Sequence, residues 1–455
     1  SVTGSFNYDC TDEEMKKKPV FVDGWNFLTN VITSSGKGRS YVTSKDNKWI
    51  RHFGDVVARY ENSFFNNRFD LSAMAGASQE KYLSKNFTTT KYDLIDMGLD
   101  VINAATGEAS AGGSATEWAM RSYFGRINLG WENKYLMEFN LRADASSRFL
   151  KDRRWGYFPS FSAAWRIDQE NFMQPFTDRW LSSLKIRASY GSLGNNSVGN
   201  YEAQSLFSQS NYCWGDEVAV GMAQTALANA LLTWESTYVT NVGIDFGMLR
   251  NRLTGSLDVF YKKTKDILID LPAPLVHGTS SLPKQNAASV TNKGFELALG
   301  WRGRSGNLDY GIDGNLTYNK NKVVKFKGED YSLSGVNYIK EGLPINAQYM
   351  LRVDRIIQTD EDLAIVNEML AKKPNAFAAY GVPQKGDLLY KDINGDGLIN
   401  SNDRTIVSDG DNPKWLYGFS PSIAYKGIDL SALIQGVAGV KVYWQHAHYN
   451  TPTVR

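Results

Sequence analysis

The sequence predicts an all-β fold, a large antiparallel transmembrane β-barrel with long extracellular loops. Three observations predict it: strict apolar/polar alternation over segments of about ten residues, short turns taking turns with long polar connections, and a composition rich in aromatics and glycine. In 134–144, Tyr135, Met137, Phe139, Leu141 and Ala143 share one face, while Leu136, Glu138, Asn140, Arg142 and Asp144 share the other. In 307–319, Leu308, Tyr310, Ile312, Leu316 and Tyr318 oppose Asp309, Asp313, Asn315, Thr317 and Asn319. The same period of two recurs in 122–132, 184–190, 237–247, 252–262 and 293–301, for about fourteen strands in all. A strand with lipid on one side and a wet or plugged lumen on the other needs this separation, because successive side chains point to opposite faces.

The connections separate into two kinds. Short ones lie at Glu132-Asn133-Lys134, Arg250-Asn251, Arg304-Ser305-Gly306 and Lys426-Gly427; long polar ones occupy 11–48, 84–115, 193–234, 265–288 and 357–412. Outer-membrane barrels have this asymmetry, with tight turns at one end and long loops at the other. Trp131, Tyr135, Phe246 and Trp301 sit beside the short turns, where an aromatic girdle meets lipid headgroups. Because an open sheet edge in lipid leaves backbone groups unpaired at several kcal/mol each, the sheet is expected to close.

Composition agrees. The 455 residues include 24 Tyr, 22 Phe, 12 Trp and 40 Gly but 12 Pro, a balance that suits strands and turns better than a helical bundle. With 50 basic and 48 acidic residues and no long run of one sign, there is no nucleic-acid footprint. Cys10 and Cys213 stand far apart, without the spacing of a metal site or a disulfide framework, and leave the redox compartment open. No stretch is apolar for the roughly 18 residues a membrane helix needs, and the mean hydropathy of −0.38 would suit a soluble protein. Barrel strands escape both measures, since alternation hides their hydrophobicity. Ser1 already opens a strand-like run, with neither an initiator Met nor a leader ahead of it, so a piece of a longer barrel is expected.

Residues 142–149, Arg142-Ala143-Asp144-Ala145-Ser146-Ser147-Arg148-Phe149, followed by Trp155-Gly156-Tyr157-Phe158-Pro159-Ser160-Phe161 through Trp165-Arg166, resemble a signature of the SusC/RagA-like TonB-linked outer-membrane transporters. Further segments are similar in order: Arg187-Ala188-Ser189-Tyr190-Gly191, Glu235-Ser236-Thr237 through Asp245, Tyr261-Lys262-Lys263-Thr264, and Asn292-Lys293-Gly294-Phe295-Glu296. The similarity runs from about residue 116 onward and is weaker over 1–115. The resemblance implies that 1–455 is part of a plugged TonB-dependent transporter barrel in the cell outer membrane, its N-terminal plug and last barrel strands lying outside this sequence. It also implies import of a large nutrient, an oligosaccharide first and a peptide second. The implied partners are a SusD-like extracellular lipoprotein acting as a hinged lid, TonB acting through the plug, and membrane lipid.

The sharpest local chemistry lies in 386–410, a calcium-loop-like extracellular segment. Asp392, Asn394, Asp396 and Asp403 fall at positions 1, 3, 5 and 12 of a calcium loop, with Gly397 at the sharp-turn position, the Leu398 carbonyl at 7 and Asn400 at 9. Asp stands where an EF-hand has Glu and no helices flank the run, so it is closer to a dockerin-type loop. The alternative is a rigid Asn/Asp/Gly turn without Ca2+. His446 and His448 form an H-x-H pair better read as surface or lining residues than as a metal site. Trp118, Tyr212, Trp214, Tyr331 and Tyr338 are candidates for stacking on sugar rings. No spacing favours a catalytic triad or carboxylate pair, so neither enzyme activity nor an organic cofactor is expected. The competing reading is a secreted all-β glycan-binding protein or glycoside hydrolase, which requires two carboxylates about 5 to 9.5 Å apart in a cleft.

Overall fold

The computed structural model describes residues 1–17, 22–26, 31–35, 39–96, 98–177, 179–215, 217–270, 283–327, 331–334 and 336–442. Fourteen strand elements form one antiparallel sheet, each hydrogen-bonded to its neighbours along the chain. They are β1 (Val2–Lys17), β2 (Tyr41–Phe64), β3 (Phe69–Tyr92), β4 (Ala109–Trp131), β5 (Tyr135–Ser146), β6 (Trp155–Arg166) and β7 (Leu181–Asn195). They continue as β8 (Glu235–Met248), β9 (Leu253–Ile269), β10 (Gln285–Ser305), β11 (Leu308–Phe326), β12 (Trp415–Tyr425), β13 (Ile428–Ser431) and β14 (Ile434–Ala438). The last two both pair with β12 and are halves of one strand interrupted at Ala432 and Leu433. The alternating segments of the sequence fall on these strands to within one residue at their ends. Closure is not made within the described residues: β1 does not pair with β13 or β14, and the sheet is an open wall.

The register turns the one-dimensional alternation into two surfaces. Tyr60, Ala73, Ile127, Phe139, Phe161 and Tyr190 lie opposite one another on consecutive strands and form a single apolar rung. The rung beside it reads Glu61, Ser72, Asn128, Glu138, Ser162, Ser189 and Asn241, all polar and on the other face. Because the side-chain period is two, one residue separates the two surfaces everywhere. The apolar surface carries much of the exposed hydrophobic area, including Met137, Phe139 and Leu141 at 44, 44 and 53% exposure. A soluble monomer of 50.9 kDa would expose about 17,000 Å²; this chain exposes 29,924 Å², as a wall meeting a medium on both sides does.

The two ends of the wall differ as the sequence predicts, with tight turns at one and long connections at the other. At the turn end, Lys426 and Gly427 have φ of 48° and 87° between the paired residues Tyr425 and Ile428, a two-residue turn with the handedness that strand twist favours. Glu132 and Asn133 also take positive φ there. Trp131, Tyr135 and Trp165 line up at this end, and the Tyr135 hydroxyl and Trp165 indole both donate to Glu170, at 2.6 and 3.1 Å. Trp131 and Tyr135 of the girdle expected from sequence thus line up with Trp165, which the sequence reading did not include, and Glu170 is the polar anchor of Tyr135 and Trp165.

At the other end the long connections are shorter than 11–48 and 84–115, because the strands run on through them. β2 and β3 are each 24 residues long and β4 is 23, about twice the 9–11 that cross a bilayer. Their upper halves run on as paired strands beyond the apolar band, where alternation no longer sorts apolar from polar side chains. The connection after β7 likewise holds a hairpin, Leu206–Trp214 with Glu217–Ala226. The one after β11 holds a small unit containing the helix Asp360–Lys372.

The buried clusters sit at this loop end. One gathers Phe149, Phe158, Val198, Leu232 and Trp234, and the Trp234 indole donates to the Arg154 carbonyl at 2.7 Å. Another gathers Ile357, Val366, Phe377, Leu389 and Ile399 around the helix. The helix starts on a capping box: Thr359 Oγ1 accepts from the Asp362 amide, and the Asp362 carboxylate accepts from the amides of Gln358 and Thr359 at 3.0 and 3.2 Å. Those amides, with Arg355, hold the Asp362 carboxyl down to about 2. A carboxyl depressed in the folded state contributes stability that is complete above its unfolded value of about 4 and is lost as pH falls through about 2. Acid titration followed by circular dichroism is expected to unwind this helix in that window. Asp362→Asn should fray it already at neutral pH, and identical acid profiles for the two proteins would refute the cap's role.

Candidate functional site

The polar face of the wall is the candidate site. Its turn-ward half encloses a concavity of about 850 Å³ lined by Glu61, Asp70, Asn128, Glu138, Arg187 and Asn241. A second concavity of about 830 Å³ borders it and includes Arg126, Asn140, Arg142, Asp144 and Phe158. The charged groups are mostly satisfied across strands. Arg187 on β7 donates to Asp258 on β9 at 2.6 Å and to Asp245 on β8 at 3.1 Å. Lys185 lies 2.9 Å from Asp245, and the Asn241 amide donates to Asp258 at 2.9 Å. Arg142 donates to Asp144 at 2.8 Å and to Ser122 at 2.9 Å; Arg126 donates to Asn140, which donates on to Glu138, both at 2.7 Å.

What remains unmatched is acceptor capacity. No ion pair reaches Glu61, Asp70 or Glu138 among the described residues, and the side-chain carbonyls of Asn128, Asn241 and Asn319 find no protein donor. These three asparagines occupy one level of the wall, linked through the pairs Asn241–Phe260, Phe260–Gly294 and Gly294–Asn319. A surface of this kind offers hydroxyl and amide donors many partners, among them three carboxylates without an ion pair.

The aromatic candidates are spread over three separate elements. Trp118 belongs to β4, stacks on Tyr82 with ring centroids 5.8 Å apart, and lies under the Arg148 guanidinium at 5.2 Å. Arg148 also donates to Asn200 and to the Asn196 carbonyl, and burial lowers its pKa. Trp118 is therefore engaged in holding a loop. Tyr212 and Trp214 stand 65 and 78% exposed on the hairpin after β7, with ring centroids 6.3 Å apart, and present open faces. Tyr338 stacks on Tyr349 at 4.5 Å, and Tyr331 lies on the short strand opposite Ile339. His446 and His448 lie outside the described residues. Cys10 and Cys213 are both free and exposed.

In the segment 386–410, the ligand-type side chains are turned to the loop's own backbone. Asp392 accepts from the amides of Gly395 and Gly397 at 2.7 Å each, and Asp396 accepts from the Leu398 amide at 2.7 Å. Asn394 accepts from the Asp396 amide at 2.9 Å. Asp403, fully buried, accepts from Ile393 and Asn400 at 2.9 Å, while the Asn400 side chain accepts from Asn402 at 2.8 Å. Gly395 and Gly397 take φ of 74° and 73°, where a side chain would be strained. Among the described residues no group of three or more His, Cys, Asp or Glu side chains is arranged to hold a metal. Ile399 anchors the loop in the cluster around the helix, as its position in the sequence suggests.

The family model for the TonB-dependent receptor-like β-barrel matches residues 3–367. The chain belongs to that family. TonB-dependent receptor P39 of Formosa agariphila is 30% identical over 417 residues, covering 85% of this chain and 39% of the relative. TonB-dependent receptor SusC of Bacteroides thetaiotaomicron is 29% identical over 408 residues, covering 86% and 38%. The chain thus spans about two-fifths of the curated relatives it matches. Among solved structures, the RagAB peptide importer in its closed-closed state superposes with a TM-score of 0.77 at 23% identity, over 96% of this chain and 46% of that one. The SusC/RagA resemblance read in the motifs is therefore upheld, and the wall is part of such a barrel.

The ion network around Arg187 was not legible as a site, because its members come from three strands and share no spacing. Counting back from the turn at 249–252 places Gly243 opposite Asp258, and that register is the signal that could have found it. Arg187→Gln is expected to cost about 1.5 to 3 kcal/mol in denaturant unfolding of the detergent-held protein, by stranding Asp258 on Asn241 alone. Adding Asp258→Asn should recover part of the loss, and a neutral single variant would show the network to be dispensable.

Proposed function

We propose that this chain forms part of the wall and loops of a TonB-dependent outer-membrane importer of a large nutrient, an oligosaccharide first, working with a SusD-like surface lipoprotein. The observation that carries the reading is the polar rung: a continuous band of hydroxyls, amides and the carboxylates of Glu61 and Glu138 facing the concave side while its neighbour faces lipid. Such a band binds hydroxyl-rich cargo weakly and at many points, which passage requires, since a tight site would hold what it should release. Tyr212 and Trp214 offer apolar ring faces to sugar C–H groups at the loop end. Import then proceeds by alternation between lid-open and lid-closed states, with TonB acting on the plug, so the function is binding and gating and not catalysis. A peptide cargo is the second reading, supported by likeness to a structure described as a peptide importer.

The test is purification of the intact protein from its native membrane, with mass spectrometry of what accompanies it. A surface lipoprotein and a bound oligosaccharide are expected in a preparation that needs detergent and migrates differently on gels before and after heating. A bare protein soluble without detergent would contradict the reading.

Calcium in the loop Asp392–Asp403 is proposed on the strength of its ligand spacing and its two left-handed glycines. The expected outcome is a rise in Tm with CaCl2, reversed by a chelator and absent in Asp392→Ala/Asp396→Ala. A Tm indifferent to calcium would leave the loop closed by its own amide bonds alone.

A further inference from the structure

The lipid-facing surface is not uniformly filled. From β1 to β7 it is recessed into a groove of about 1130 Å³ whose lining is mainly apolar, with Ser1, Arg59, Arg126, Asn140 and Ser160 at its polar points. The floor is small residues on neighbouring strands, where Ala58 pairs with Ala75, Ala75 with Gly125 and Gly125 with Leu141. Tyr60, Ile127 and Phe139 bound it toward the turn end, and Tyr123 toward the loop end. The Tyr123 ring is stacked on Trp155, centroids 5.8 Å apart and planes 15° from parallel.

Charge first appears on this face directly beyond that aromatic pair. Arg121 is the next outward residue of β4 and pairs in register with Gln79 of β3; its guanidinium donates to the Gln79 amide oxygen, at 2.9 and 3.2 Å, and has no carboxylate partner among the described residues. One rung farther, Lys81 stands opposite His52 and lies 3.0 Å from Glu117, both partners about half exposed. At about 3.4 Å per residue along a strand, Arg121 sits about 7 Å from the rung of Tyr123. That is the depth at which headgroups begin when acyl chains lie against the wall below.

We infer that this groove and the cations above it form a binding site for a phosphorylated lipid of the loop-side leaflet, one acyl chain lying over Ala58, Ala75 and Gly125 and a headgroup phosphate on Arg121 with Lys81. The inference rests on the membrane placement proposed above. The groove alone discriminates little, because lipid tails are as apolar as its walls and nothing is gained by moving a chain from one to the other. Selection comes from the headgroup, through charge-assisted donors from a guanidinium that has no carboxylate of its own. Lys81 contributes less, being shared with Glu117.

The probe is lipid A carrying its phosphates, against lipid A stripped of them and against phosphatidylethanolamine, offered to the full protein in mild detergent and read by native mass spectrometry. Retention of the phosphorylated form over both others is expected. Arg121→Gln should lower retention about fivefold, and Arg121→Gln/Lys81→Gln further. Ala75→Phe, which fills the floor without touching a charge, should lower retention of phosphorylated lipid while leaving gel migration before and after heating unchanged. Equal retention of all three lipids, insensitivity to Arg121→Gln, or an Ala75→Phe variant that changes oligomeric state and not lipid retention would each overturn the site. Detergent requirement and heat-shifted migration are recorded on the same preparation, so failure of the membrane reading is seen separately from failure of the lipid site.

Discussion

Everything in this structure depends on the backbone ladder. In hydrocarbon, an N–H or C=O without a partner costs several kcal/mol, so a strand can lie in the membrane only if its neighbours take up both of its edges. From β2 to β12 the strands meet that demand by the simplest route, each pairing with the next along the chain, while β1 and the β13/β14 strand are paired along one edge among the described residues. Once the ladder is fixed, side chains have two directions available, and the medium on each side decides what they are. The apolar rung through Tyr60 and Phe139 and the polar rung through Glu61 and Glu138 are consequences of that single condition.

The ladder also explains where burial goes. A wall one strand thick has no interior, so the buried clusters form at the loop end, Phe158 with Trp234 in one and Ile357 in another, where connections are long enough to fold back. Water-driven packing stabilises the loops, whereas hydrogen bonding and lipid stabilise the wall. Loops held in this way can present Tyr212 and Trp214 openly while Trp118 and Arg148 fasten the base beneath them.

The same division governs what the sequence revealed. Strands crossing the apolar band were legible, because lipid on one side writes a period of two into them, as in Tyr135 to Asp144. The upper parts of β2 and β3 were read as loop, because alternation no longer sorts their side chains while the hydrogen bonds continue. The turns were legible from their length, and their residues fit the positive φ found at Asn133 and Gly427. The Asp392–Asp403 spacing was legible as a tight loop; that its carboxylates accept from its own amides is a matter of side-chain direction, which spacing does not carry. Arg187 with Asp245 and Asp258 was hidden for a related reason, since strand register is a relation between segments.

The turn at Lys426 and Gly427 has a consequence for how such a protein can change over time. A single residue gained or lost within a wall strand would carry every later side chain of that strand through to the wrong surface, placing Glu138-like residues in oil and Phe139-like residues in the channel. Within the regular ladder length changes are therefore expected in pairs, an odd residue being taken up by bulges near strand ends, as at Ser182 and Val324. The connections at the opposite end carry no such parity. Loop length and content can change there without carrying any wall side chain to the other surface.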